Sequence, residues 1–322
     1  MSSSPPQTDI AVRITRAEPI AHGIHLYEMS RPDGAELPEF TAGSHVNLRI
    51  PNGLVRKYSL CSDPADRSRY GIAIKREDNG RGGSILLVDN TKVGDEWMIS
   101  APDNAFALPK RGDNFIFIAG GIGITPFMAM IHELKNEPGK KFKLYYCSRS
   151  PEMTAFREEL SAPEYKGKVV IHYDGGDPAN ALDLWPIVEE RKNREHLYCC
   201  GPRGLMEAVR DATGHWTPTS IHFEAFSEAD ARRPDDKQFS VKLSSTGEVI
   251  DVPAGTTILE AMRAKGHAVP SSCESGTCGT CRTRLVSGEA DHRDLVLTQS
   301  ERGSQIMICV SRAKSPELVI DR

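Results

Sequence analysis

The chain has 322 residues, with 40 Lys and Arg against 44 Asp and Glu, and the resulting net charge of −4 gives no electrostatic case for nucleic acid as a partner. Hydrophobic content of 39% and charged content of 26% are ordinary for a soluble globular protein, and the length suggests two or three domains. No run approaches the ~18 apolar residues that span a bilayer, and the Met1–Asp9 stretch has no basic n-region or apolar h-region; no membrane contact is expected, and the cytoplasm is the expected compartment, where the eight cysteines are reduced thiols or ligands.

In chain order, residues 1–8 read as a disordered lead. Short alternating runs then follow to about Ser100: Ala11–Thr15, Ile24–Met29, Val46–Ile50, Tyr58–Leu60 and Tyr70–Lys75. Period-two patterning broken at Arg31-Pro-Asp-Gly34, Pro51-Asn-Gly53 and Asp63-Pro64 predicts an antiparallel barrel. Gly82-Gly83-Ser84 opens a short helix through Asp89. The pattern changes near Asn114. Phe115–Ala119 is a fully apolar strand that runs into Gly120-Gly-Ile-Gly123-Ile-Thr-Pro126 and a helix from Phe127 to Leu134. Strands at Phe142–Tyr146, Val169–His172 and His196–Cys200, with helices between, predict a doubly wound parallel sheet. Ser227–Gln238 is charged and poor in apolar residues, a linker by composition. Beyond it lie strands Phe239–Leu243 and Val249–Val252, a helix Thr257–Lys265, a cysteine loop, and strands around Thr283–Leu285 and Gln305–Val310. The expected domains are 9–110, 111–226 and 239–322, with 227–238 between the last two.

Each domain carries one chemical constellation. In the first, Arg56-Lys57-Tyr58-Ser59 offers an aromatic to lie against an isoalloxazine ring, a neighbouring hydroxyl for its reactive edge, and a guanidinium for a phosphate. Arg81-Gly82-Gly83-Ser84 sits at a helix start, where free N–H groups attract phosphate. Alone, the first motif is an exposed strand and the second a turn; their order and spacing together predict a flavin site. In the second domain, Gly120, Gly121 and Gly123 between strand and helix suit a dinucleotide pyrophosphate, although the full G-x-G-x-x-G is absent. Pro126 suits the first helical turn, and Thr125 is a candidate cap that can also face the flavin. Cys200-Gly201-Pro202 ends a later strand, where such sheets hold their ligands, so Cys200 is a candidate neighbour of the nicotinamide as well as a candidate for inert packing. Asp174 could accept from a ribose hydroxyl and favour NAD, whereas Arg149 could hold a 2′-phosphate; the balance leans to NADH. In the third domain, Cys273-x4-Cys278-x2-Cys281 with Cys309 downstream matches the plant-type [2Fe–2S] pattern. Structural zinc prefers two C-x2-C-like pairs, and disulfides need an oxidising compartment. Gly276 and Gly279 allow a tight loop, and Ser271, Ser272, Ser275 and Thr277 offer donors to sulfur.

With these motifs in this order, and with Phe223-Glu-Ala-Phe226 closing the nucleotide domain, the chain resembles the phthalate dioxygenase reductase family, reductase components of Rieske-type aromatic-ring oxygenases. The resemblance covers nearly all residues, and the order flavin, nucleotide, cluster is itself discriminating. It implies FMN, NADH and one [2Fe–2S] cluster, and a β-grasp ferredoxin domain at the C-terminus. It also implies that Arg56, Lys57, Ser59, Ala73, Lys75, Arg81, Gly82, Gly83, Ser84, Thr125 and Phe226 surround FMN, with Ala73-Ile74-Lys75 running beside the ring. Ser59, Thr125 and Cys200 are the expected catalytic residues. Hydride transfer needs no acid or base, so His45 and the other histidines are expected to be ordinary surface or core residues. The implied path runs from NADH through FMN and the cluster to a terminal Rieske oxygenase, reduced directly by a monomeric reductase. The alternatives are a reductase of a related vanillate- or carnitine-type oxygenase, and a non-enzymatic electron carrier or redox sensor, which the nucleotide strand–turn–helix argues against.

Overall fold

A computed structural model describes residues 9–50, 53–78, 82–226 and 232–322. The expected lead at 1–8, Arg81, and residues 227–231 of the expected linker lie outside the described residues. The chain divides into two compact units, Met1–His222 and Phe223–Arg322.

The first unit opens with β1 (Ile10–Ala21), β2 (Ile24–Ser30), β3 (Ser44–Arg49), β4 (Val55–Ser59), β5 (Tyr70–Lys75), α1 (Gly83–Asn90), β6 (Glu96–Ile99) and the two-residue β7 (Asp103–Asn104). The strands pair antiparallel in the order β4-β3-β6-β1-β2-β5, with β7 added to β3. Alternation places Val12 and Ile14 inside while their neighbours Ala11 and Arg13 face out. The two ends of this order, β4 and β5, meet: past Ser59 the chain turns and the Cys61 N–H donates to the Gly71 carbonyl at 2.8 Å. The predicted barrel is therefore present, and its seam lies between the strands that carry Arg56–Ser59 and Ala73–Lys75.

The same unit continues with β8 (Asn114–Gly120), α2 (Thr125–Lys135), β9 (Lys141–Ser148), α3 (Arg157–Leu160), β10 (Val169–Tyr173), α4 (Trp185–Val188), β11 (Glu195–Cys200) and α5 (Arg203–Ala212), and ends within β12 (Ile221–Glu224). The sheet order is β10-β9-β8-β11-β12, and β10, β9, β8 and β11 are parallel. Every side chain from Phe115 to Ala119 is at most 7% exposed, as a strand covered on both faces requires. α2 covers one face, with Phe127 stacked on Phe117 at 5.0 Å between centroids. The other intervening helices are slighter than the alternation predicts: α3 and α4 are single turns of four residues. Barrel and sheet share one core. Phe106 meets Tyr198 edge-on at 5.1 Å, and the Tyr198 hydroxyl donates to the Ala107 carbonyl at 2.8 Å. The expected boundary at 110/111 is a change of architecture without a break in packing.

The second unit contains β13 (Phe239–Leu243), β14 (Val249–Val252), α6 (Ile258–Ala264), β15 (Arg282–Ser287), β16 (Ala290–Asp291), β17 (Gln305–Met307), β18 (Arg312–Ala313) and β19 (Glu317–Ile320). The main sheet runs β14-β13-β19-β15-β17, with β13 and β19 parallel, and β16 pairs with β18. α6 packs on the sheet and starts at Thr257, which accepts from the Glu260 N–H while the Glu260 carboxylate accepts from the Thr257 N–H. This is the expected β-grasp. Residues 232–238 are not a loose linker. Asp236 is buried and accepts two bonds from Arg293, at 2.6 and 3.2 Å, and the Arg312 guanidinium lies 3.6 Å away. The described part of that segment belongs to the ferredoxin unit.

Candidate redox sites

The barrel seam assembles the flavin constellation. Arg56 and Tyr58 are half-buried on β4, and Ser59 is 5% exposed at its end. Burial pushes the Tyr58 phenol up to about 12 against the opposing charge of Arg56. On β5, Ala73 and Ile74 are buried and Lys75 pairs with Glu77. Arg56 reaches the start of α1: a Cβ on Gly83 would stand 3.4 Å from Arg56 Nε and 2.9 Å from Ile50 Cδ1. Gly82 precedes the helix with φ +81°, a conformation that glycine adopts at little cost. Among the described residues no side chain caps α1, and its first N–H groups and the Arg56 guanidinium form one cradle suited to a phosphate. Ser84 Oγ accepts from the Glu77 N–H at 3.0 Å, which leaves its own proton to donate. Arg56, Tyr58, Ser59 and this cradle fit a flavin. Lys57 is exposed on β4. Phe226, expected beside the flavin, is 44% exposed and falls in the second unit.

The nucleotide loops meet where the sheet order reverses. β9 and β10 lie to one side of β8 and β11 to the other, so β8 and β11 border the switch point of the sheet. Their ends touch backbone to backbone. A Cβ on Gly123 would lie 2.2 Å from the Cys200 carbonyl oxygen, and one on Gly201 would lie 2.9 Å from Gly120 N. Only glycine permits this approach. Gly121, at φ +54°, has nothing within 4 Å of its would-be Cβ. Pro126 is in the first turn of α2, as expected. Thr125 is not the cap: it is the first helical residue, and its hydroxyl donates back to the Ile122 carbonyl at 3.1 Å because a 3-10 turn precedes the helix. The Gly121–Ile124 turn lies against β5, which brings the nucleotide loop to the flavin strand. Cys200 is fully buried, and its carbonyl forms the contact with Gly123. Pro202 packs over Gly120. Asp174 and Arg149 end neighbouring strands and share one corner. Asp174 Oδ1 accepts from the Gly176 N–H at 2.7 Å, while Gly175 N–H donates to the Arg149 carbonyl at 3.1 Å.

The four cluster cysteines stand as two pairs. Cys273 lies beside Cys278, and Cys281 beside Cys309. The Cys278 sulfur accepts from the Cys273 N–H at 3.5 Å, and its thiol donates to the Thr280 hydroxyl at 3.3 Å. Bound metal would deprotonate all four. Two pairs of thiols fit two irons with two protein ligands each. Ser275 and Thr277 N–H groups point at Cys273 Sγ, at 3.5 and 3.4 Å. Gly276, at φ +77°, is pressed against Val310, where a Cβ would stand 2.6 Å from Cγ2. Cys281 and Cys309 are 2% exposed, whereas Cys273 and Cys278 are half-buried. One residue that sequence reading missed supports this loop. Asp294 is buried, accepts from the Val296 and Leu297 N–H groups at 3.1 and 2.7 Å, and so shapes the turn whose Leu295 N–H donates to the Gly276 carbonyl at 3.0 Å. Its only sequence signal is an aspartate two and three residues before those donors.

Comparison with known proteins finds three matching domains in the expected order. Residues 11–107 match an oxidoreductase FAD-binding domain, 117–211 an oxidoreductase NAD-binding domain, and 241–314 a 2Fe-2S iron-sulfur cluster binding domain. The chain is 50% identical to phthalate dioxygenase reductase of Burkholderia cepacia, over 98% of this chain and 99% of that one. It is 49% identical to a phthalate 4,5-dioxygenase oxygenase reductase subunit of Pseudomonas putida over the full length of both. A solved structure of phthalate dioxygenase reductase superposes over 100% of each chain with a TM-score of 0.74 at 48% identity. The two thiol pairs, the glycine-bonded nucleotide loops and the barrel seam thus occur in a chain that belongs to the phthalate dioxygenase reductase family, the flavin- and [2Fe–2S]-dependent oxidoreductases that supply electrons to Rieske oxygenases.

Proposed function

We propose that this reductase holds FMN, prefers NADH, works as a monomer in the cytoplasm, and delivers electrons directly to a phthalate-type terminal oxygenase. The observation that carries the reading is the meeting of β5, the Gly121–Ile124 turn and the Cys200–Gly201 loop in one unit, in a chain half identical to phthalate dioxygenase reductase along its whole length. FMN rather than FAD is favoured by the family resemblance.

Flavin, when bound, converts a two-electron hydride into single electrons, and a two-iron cluster carries them one at a time. The residues orient and exclude. Gly120, Gly121 and Gly123 admit a pyrophosphate against backbone N–H groups at the start of α2. Asp174 accepts from a ribose hydroxyl and repels a 2′-phosphate. Arg56 with Gly82, Gly83 and Ser84 takes the flavin phosphate, and Lys57 and Ala73–Lys75 complete the set around it. Ser59 and Thr125 present hydroxyl groups to the reactive edge, and Cys200 closes the nicotinamide side. Burial of Cys281 and Cys309 keeps water from one side of the thiol set, and the half-buried Cys273 and Cys278 mark the side from which electrons leave.

The test is reconstitution of the purified reductase with a phthalate dioxygenase oxygenase component, following phthalate-dependent NADH oxidation, with chromatography of the released flavin. Coupled turnover with NADH and release of FMN support the reading. Release of FAD, or turnover only with an oxygenase of the vanillate or carnitine type, replaces the corresponding part of it.

A further inference from the structure

The reaction leaves a proton to be removed. NADH and two oxidised one-electron acceptors give NAD⁺, two reduced acceptors and one proton. The hydride brings that proton into the site, and the electrons depart without it.

Three residues lie in a row across β4, β3 and β7. Ser59 is the register partner of His45, and His45 is the partner of Asp103. The Leu60 N–H donates to the Ser44 carbonyl at 2.9 Å, which makes Ser44 and Leu60 a hydrogen-bonded pair of the ladder. The next pair, His45 and Ser59, is then of the non-hydrogen-bonded kind, whose Cα atoms approach to ~4.5 Å and whose side chains stand closest. Exposure rises along the row. Ser59 is 5% exposed and His45 2%, whereas the Asp103 side chain is 62% exposed. His45 Nε2 is 3.9 Å from Asp103 Oδ2, a gap that one water or a small side-chain rotation closes. His45 Nδ1 is buried with no hydrogen-bond partner among the described residues. Burial, aided by the charge of Lys57 on β4 and opposed by Asp103 on β7, pushes the imidazole down to about 4. It is neutral near pH 7, with one N–H and one lone pair, and can take a proton at one nitrogen while giving one from the other.

We propose that His45 is a proton relay between the flavin site and solvent. Ser59 Oγ takes the proton from the site as it gives its own to His45 Nδ1. The Nε2 proton passes to the Asp103 carboxylate and from there to water, which leaves the imidazole protonated on Nδ1; a turn of the ring that brings Nδ1 to the solvent side lets that proton leave to water while Nε2 takes one from water, and the ring turns back with no proton returned to Ser59. No electrons move in these steps. The proposal rests on the reading of Ser59 as facing the reactive edge of the flavin.

The test uses the holoprotein and stopped-flow mixing with NADH, following proton release with a pH-indicator dye and electron arrival by cluster absorbance, in H2O and D2O. His45→Gln should slow proton release by ~10²-fold, the low end for a lost acid–base group. Asp103→Asn, at an exposed position, should slow it less and enlarge the solvent isotope effect. Independently of turnover, ¹⁵N NMR of labelled histidine should show the His45 Nδ1 resonance moving from a free lone pair to a hydrogen-bonded one when flavin is loaded. Ser59→Ala separates the two readings. If Ser59→Ala leaves proton release unchanged, the placement of Ser59 fails and the relay with it. If Ser59→Ala slows release while flavin-replete His45→Gln or Asp103→Asn releases protons at the wild-type rate, the relay alone is wrong. An unchanged Nδ1 resonance on flavin loading also overturns it.

Discussion

Gly123→Ala tests the nucleotide site with one methyl group. The added Cβ would lie 2.2 Å from the Cys200 carbonyl oxygen, 2.5 Å from its carbon and 2.8 Å from Gly201 N, the nearest of them 0.8 Å short of the 3.0 Å that real Cβ contacts respect. All three neighbours are backbone, fixed by the parallel pairing of β8 with β11, so no side chain can swing away. The two loops must part by nearly 1 Å. Overpacking of this kind costs about 1–3 kcal/mol. For a unit of this size each kcal/mol lowers Tm by about 2–4 °C, so a fall of about 2–12 °C is expected. A misplacement of 1 Å in a binding loop costs about 10²-fold in rate. The assay is kcat/KM for NADH with an artificial dye, alongside flavin content and Tm. Gly204→Ala on α5 is the control, because its Cβ would meet nothing within 4 Å and alanine favours a helix by about 0.5–1 kcal/mol. Gly123→Ala with wild-type Tm and wild-type kcat/KM would refute the claim that backbone contact between these loops builds the site.

Cys309→Ser should leave the cluster absent or labile while NADH still reduces dyes through the flavin, measured as iron per chain against diaphorase rate. Equal loss of both would mean that the two units are not energetically separable. NADH should outcompete NADPH, and Asp174→Ala should narrow the gap in kcat/KM; a wild-type preference for NADPH would shift the role to Arg149. Asp236→Asn should destabilise the ferredoxin unit, by less than the about 3–5 kcal/mol of a wholly uncompensated buried charge because Asp291 still pairs with Arg293 at 2.6 Å, and chemical denaturation of that unit reads the loss. Burial alone would raise the Asp236 pKa, but hydrogen bonds and charge from Arg293, with the charge of Arg312, hold it below the ordinary value. The folded pKa is thus below the unfolded one, so this contribution is present above the ordinary carboxylate pKa and is lost as pH falls through the lowered value. A wild-type unit no more acid-labile than the Asp236→Asn variant would contradict that sign.

What was legible in the sequence is what chemistry dictates locally. Cysteine spacing names a cluster because thiolates must crowd one loop, and the structure pairs Cys273 with Cys278 and Cys281 with Cys309. The strand–glycine–helix run at Phe115–Leu134 is legible because a buried parallel strand is apolar throughout. The barrel strands follow from period-two patterning. Their seam does not, since the meeting of β4 with β5 depends on closure and no local pattern encodes it. Cys200 and Gly123 show the same limit. Each motif is visible, but their contact depends on β11 adding to β8 on the side away from β9.

Composition does not report which charged residues folding buries. Ser227–Gln238 has the composition of a solvated tether, yet the Asp236 side chain is buried against Arg293 and Arg312, partners far along the chain. His45 is a core histidine, as expected, and its pairing with Ser59 and Asp103, which no local pattern encodes, places it between a buried hydroxyl and a solvated carboxylate. β19 escaped notice for a different reason. Its four residues near the C-terminus are too few to show a period, although they pair with both β13 and β15. A charged residue that folding buries must find a counter-charge or change its protonation state. Asp236 does the first, held ionised by two arginines, and it serves structure. His45 does the second, remaining neutral beside Lys57, and a neutral imidazole between a hydroxyl and a carboxylate is suited to moving protons. Burial therefore assigns the two residues different work, and the distinction lies in whether a counter-charge is within hydrogen-bond reach.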